Sequence, residues 1–161
     1  MKQLKCLFLL LVMFVPFLMQ AQTKSLAPQK EGIMEQLLLK VALPYRIIND
    51  SVAVIPYSGS SIPDYQIVIQ RVSDLCIIYT NLSEVQSFKD DSLVMHHLLQ
   101  QADHFDLIKI GMDQHNDVYI RSDAFIDLLN SKYMERLIRQ VANVANIVAG
   151  EIAQLQTNAL K

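Results

Sequence analysis

Residues 65–80 read YQIVIQRV-SD-LCIIYT: two β-rich runs, Tyr65–Val72 and Leu75–Thr80, on either side of Ser73-Asp74. Branched and aromatic side chains favour extended backbone, and a two-residue step between such runs is the mark of a tight hairpin. Side chains alternate across a strand, so each run has two faces. Ile67, Ile69 and Ile78 fall on one face of this hairpin, and Val68, Ile77 and Tyr79 on the other. Both faces are therefore apolar. Helices cover only one side of such a hairpin, so the other is expected to meet a partner or a second copy.

Working outward, Tyr45–Asp50 and Ser51–Tyr57 are also β-rich, joined at Asn49-Asp50-Ser51. The connection Ser58-Gly59-Ser60-Ser61-Ile62-Pro63-Asp64 is the most loop-like stretch in the chain and reads as a flexible link. Upstream, Ile33, Met34, Leu37, Leu38 and Val41 recur at helical spacing, and Pro44 ends that helix. Downstream, Leu93, Met95, Leu98, Leu99 and Ala102 mark a second helix over 91–104, with Asp90 or Asp91 as its cap. A second hairpin follows, Leu107–Met112 to Val118–Arg121, across the turn 113–117. Ile108, Ile110, Met112, Val118 and Ile120 form its buried side, and Lys109, Tyr119 and Arg121 its wetter side.

The last segment has two apolar rows. Met134, Leu137, Val141, Val144 and Val148 form one, and Ile138, Ala142, Ala145, Ala149 and Ile152 the other, about 100° round the helix. Ser131 precedes this helix. A face this wide fits a helix set deep in its own sheet; the alternative is an alanine row that admits an element of another subunit. Strands in hairpins with no βαβ alternation predict an α+β fold. The expected architecture is an antiparallel sheet of about five strands, in the order helix–three strands–helix–hairpin–helix, with helices packed on one face.

The N-terminus differs from the rest. Lys2 and Lys5 precede the uncharged run Cys6–Met19, and Ala21 offers a small residue for cleavage. Fourteen apolar residues span only about 21 Å as a helix, short of the roughly 30 Å bilayer core, so residues 1–21 read as an export signal. Residues 22–30 read as a polar leader, and 31–158 as a single domain. Removing the signal takes two cations, leaving 12 basic against 16 acidic residues, a net charge of −4. That balance excludes the broad basic footprint of nucleic-acid binding. Contact with a membrane is expected only through the signal segment. The remaining Cys76, between Leu75 and Ile77, has no partner for a disulfide and reads as a small buried hydrophobe.

No catalytic or cofactor motif stands out. His96, His97 and His104, with Asp103 or Asp106, are the one grouping from which a metal-dependent hydrolase could be built, but neither HExxH nor CxxC is present. The turn Asp113-Gln114-His115-Asn116-Asp117 lacks the glycine and the twelfth-position acid of a calcium loop. Lys132, Arg136 and Arg139 on the last helix read as a solvated face. No cofactor is expected.

From the second helix onward the chain resembles a known family. Leu98-Leu99-Gln100-Gln101-Ala102, then Phe105-Asp106-Leu107-Ile108-Lys109-Ile110-Gly111-Met112-Asp113, a polar turn, and Val118-Tyr119-Ile120-Arg121 resemble the type III secretion chaperone-like family, in particular its YbjN-type proteins, labelled bacterial sensory-transduction regulators. The resemblance covers roughly Glu31 to Leu155, and its specific part is Leu98 to Arg121. It implies an α+β domain that commonly dimerises and binds extended polypeptide, with no catalytic residues. Two features depart from the family: the export signal, and a longer turn after Asp113. The expectation is an exported, periplasmic or secreted, non-enzymatic module that binds a protein or peptide through Val68, Ile77, Tyr79, Lys109, Tyr119 and Arg121. The alternatives are a small metal-dependent enzyme and a structural envelope component.

Overall fold

The computed structural model describes residues 32–82, 92–115 and 117–158. The expected signal and leader, the expected caps Asp90 and Asp91, and Asn116 of the turn 113–117 lie outside the described residues. The elements are α1 (Ile33–Leu38), β1 (Arg46–Asn49), β2 (Val52–Tyr57), β3 (Tyr65–Val72), β4 (Leu75–Asn81), α2 (Ser92–Ala102), β5 (Lys109–Met112), β6 (Val118–Phe125), a 3₁₀ turn (Ile126–Leu128) and α3 (Ser131–Asn158).

The strands form one antiparallel sheet of six in the order β1-β2-β3-β4-β6-β5. The expectation of about five strands is corrected to six, because four strands rather than three stand between the first two helices. Residues 46–57 bend back on themselves at Asn49-Asp50-Ser51, where the Ser51 N–H donates to Asn49 Oδ1 at 2.9 Å. That side-chain turn separates β1 from β2. The α+β class and the packing of helices on one face hold.

The central hairpin forms on the residues read for it. Val68 faces Tyr79, Ile69 faces Ile78 and Gln70 faces Ile77. Its two-residue step needs a left-handed first turn residue, and Ser73 supplies it at φ 58°. The second hairpin is longer on one arm than expected. β6 runs to Phe125 rather than Arg121, because Ser122, Asp123, Ala124 and Phe125 pair with Ile78, Ile77, Cys76 and Leu75 of β4. β5 is shorter and begins at Lys109. Leu107, at φ 62°, sits in a turn that blocks extended backbone there.

α3 lies across the sheet against β3, β4 and β6, and against α1 and α2 on its flanks. Both of its apolar rows are buried, with Ala142, Ala145 and Ala149 at 0% exposure. The alanine row is thus filled from within the chain, where small side chains let α3 sit close to its own sheet. The helix begins at Ser131 rather than after it. The preceding Asn130 caps it, its Oδ1 accepting from the Tyr133 N–H at 2.9 Å.

The link 58–64 is held rather than loose. The N–H groups of Ser61 and Ile62 donate to Asn146 Oδ1 of α3 at 2.8 and 3.3 Å, and Ile62 is fully buried. A Cβ on Gly59 would lie 2.2 Å from that same oxygen, so glycine is required for the approach. One turn earlier along α3, the Tyr65 hydroxyl donates to the Ala142 carbonyl at 3.0 Å. Burial pushes that phenol up to about 12, and nearby Tyr57 adds to the effect. Among the described residues no helix is long and apolar enough to cross a membrane.

Candidate partner-binding face

Strand parity decides which side chains face the helices and which do not. Ile67, Ile69, Cys76, Ile78, Val118 and Ile120 face the helices and are 0% exposed. The residues between them point the other way, where no described element covers them. All six positions expected to bind a partner lie on this open face.

The register shows how they are arranged. Val68 pairs with Val54 on one side and Tyr79 on the other; Tyr79 pairs with Arg121, and Arg121 with Lys109. These residues form one row across five strands, apolar in the middle and cationic at the β5 edge. Ile77 stands in the next row, between Gln70 and Asp123. Tyr119 stands on the opposite side of the row, between Asn81 and Gly111. A Cβ on Gly111 would lie 2.4 Å from the Tyr119 ring, so the ring rests on bare backbone. Only glycine admits that placement.

Two shallow depressions meet on this face. One, of about 230 Å³, is lined by Ile77, Tyr79, Tyr119, Arg121, Gln70, Asn81 and Asp113. The other, of about 370 Å³, includes Asp64, Gln66, Val68, Tyr79 and Asn81. Tyr79 is a wall of both. The first, an apolar floor rimmed by Tyr and Arg, has the anatomy of a protein–protein contact site.

Asp123, in the part of β6 beyond the expected end at Arg121, organises the cationic edge. Lys109 Nζ donates to its Oδ2 at 2.7 Å, and Arg121 holds both carboxylate oxygens through Nε and an Nη. Burial raises the Asp123 pKa, but donation from Arg121 and Lys109 outweighs it and holds the carboxylate below its usual range. The continued alternation Tyr119, Arg121, Asp123 is the signal that would have found it.

The alternative chemistry fares differently. His97 Nε2 lies 2.9 Å from Glu151 Oε2 and joins α2 to α3. His104 Nδ1 contacts the Gln100 carbonyl at 2.7 Å, and His96 contacts Gln100. His96 and His104 thus share Gln100 while His97 turns to Glu151, and no group of three metal-ligating side chains converges among the described residues. Asp113 Oδ1 accepts from the N–H groups of Asp117 and His115, which lowers its pKa and closes a hairpin turn rather than an ion cage. Cys76 is fully buried, and burial pushes its thiol up to about 12, far from a reactive thiolate.

No protein-family model and no curated protein matches the chain. Solved structures do. The chain is similar to one in the heterodimeric ExoU–SpcU complex of the type III secretion system of Pseudomonas aeruginosa, at 16% identity and a TM-score of 0.50, covering 73% of this chain and 93% of that one. A chain of the ExoT–SpcS complex, also of Pseudomonas aeruginosa, aligns at 14% identity and a TM-score of 0.42, over 71% of this chain and 91% of that one. One of the ExsC–ExsE complex aligns at 9% and 0.48, over 70% and 85%. The fold is that of the type III secretion chaperones, an assignment that rests on the first of these matches. At such identities the likeness reaches no further than fold.

Proposed function

We propose that this chain is an exported, non-enzymatic module that binds a partner protein or peptide on the open face of its sheet. The observation that carries this reading is the uncovered half of the strand alternation: Val68, Ile77 and Tyr79 stand half-buried in a contiguous apolar strip with no described element over them. Burying such a strip yields about 25 cal/mol per Å² of apolar surface, so a partner or a second copy that covers it gains affinity there. The fold supports the reading, since the chain matched at a TM-score of 0.50 belongs to a heterodimeric complex. Export to the periplasm or beyond rests on the pattern of residues 1–21.

Sedimentation and capture from a periplasmic fraction, run on the chain and on a Val68→Asp/Tyr79→Asp variant, test the binding. The chain should self-associate or retain a partner that the variant loses, with far-UV circular dichroism unchanged. A monomer whose captured proteins are the same as the variant's would defeat the reading. Sequencing the N-terminus of the exported protein tests the signal, and it should begin at Gln22.

A further inference from the structure

The surface of α3 turned away from the sheet has a charge pattern unlike the rest of the chain. Lys132, Arg136 and Arg139 crowd its N-terminal third, in a chain with more acids than bases. Lys132 and Arg136 are four residues apart, on neighbouring turns of one face, where like charges repel. Lys132, in the first turn, also stands at the helix end whose macrodipole is already positive. Only Arg139 is compensated: its Nε and Nη2 donate to Glu135 Oε1 at 2.9 and 2.8 Å. Lys132 and Arg136 make no ion pair among the described residues. Like charges at this spacing repel, and a negative charge placed beside Lys132 and Arg136 would relieve the repulsion.

The same surface is concave. A groove of about 610 Å³ runs beside these cations, with Phe105 and Val144 at its apolar base and Ile147, 44% exposed, at its lip. The side-chain amide of Gln140 donates to the Asp106 carbonyl at 2.6 Å and ties the turn after α2 to α3 as one wall. A flat anionic bilayer would meet the cations but not the recessed base. An acidic helix with one apolar stripe meets both: its carboxylates reach Lys132 and Arg136, and its stripe enters the groove.

We propose that this groove along the outer flank of α3 docks an acidic amphipathic helix of a partner protein, at a site separate from the open sheet face. The test uses the full chain and a fluorescent helical peptide with leucines at three- and four-residue spacing and glutamates elsewhere. Fluorescence anisotropy should show binding that weakens at least about tenfold in a Lys132→Glu/Arg136→Glu variant and as salt rises from about 0.05 to 0.5 M. Replacing the peptide's glutamates with glutamine should weaken it similarly, and Ile147→Ser should weaken it several-fold. The Val68→Asp/Tyr79→Asp variant should bind the peptide as the parent does, which separates this site from the sheet face. Equal binding of the glutamine peptide, an unchanged affinity in the charge-reversed variant, or no peptide binding at all would overturn the proposal. Binding to phosphatidylglycerol vesicles without binding to the peptide would overturn it in favour of a membrane surface.

Discussion

The two faces of the sheet are built from the same strands and nearly the same residue types, yet they do different work. Ile78 and Ile77 are adjacent in β4, and the first is 0% exposed under α3 while the second is half-buried on the open side. The same holds for Ile67 and Ile69 against Val68 in β3. One residue of register separates a side chain that stabilises the fold from one available to a partner. Hydrophobicity alone does not tell them apart.

Truncation gives the sharpest way to break that comparison. Ile78→Ala should destabilise the domain by about 2–5 kcal/mol, the cost of a core cavity, whereas Ile77→Ala should cost no more than about 1 kcal/mol. Urea unfolding of the two variants measures the gap, and equal losses would mean that the open face is itself core. Overfilling the covered face is the next largest effect. Ala145→Leu, on the buried side of α3, should cost about 1–3 kcal/mol, because the alanine row has no space to give. Its thermal midpoint should fall while that of an Ile147→Leu variant on the exposed flank stays put.

The ionic edge of the open face should contribute less. Asp123 is held below its unfolded pKa by Arg121 and Lys109, so its stabilisation is complete above the unfolded value near 4 and is lost as pH falls through the lower folded value. Discounted for solvent, Asp123→Asn should cost about 0.5–1 kcal/mol at neutral pH. Below pH about 4 the parent and the variant should converge, and denaturant titrations at several pH values read the convergence. The smallest effect belongs to neither face. Ser73→Gly at the hairpin tip relieves a left-handed backbone at φ 58° and should add about 0.5 kcal/mol, after the entropic cost of glycine.

Most of the element pattern could be read along the chain because its causes are local. The 3- and 4-residue spacing from Met134 to Ile152 named α3 and its buried face, and the alternation in Tyr65–Thr80 named the central hairpin. The six positions from Val68 to Arg121 fell on one face because alternation carries that information residue by residue. What escaped depended on distant partners. The link 58–64 looks loose because its anchor, Asn146, lies more than 80 residues away. The C-terminal half of β6 looks like the end of a hairpin because its support is β4 rather than β5. Asp123 is hidden with it, since it lies in that half.

The sequence by itself determined the periodicities: which residues could be helix, which could be strand, and which share a side of each. Those depend on backbone geometry within a few residues. The tertiary structure alone decided that β6 enters between β4 and β5, that α3 covers one side of the sheet, and that Lys109, Arg121 and Asp123 converge at its edge. Strand pairing and helix docking depend on contacts between segments far apart in the chain, where no local period points to the partner.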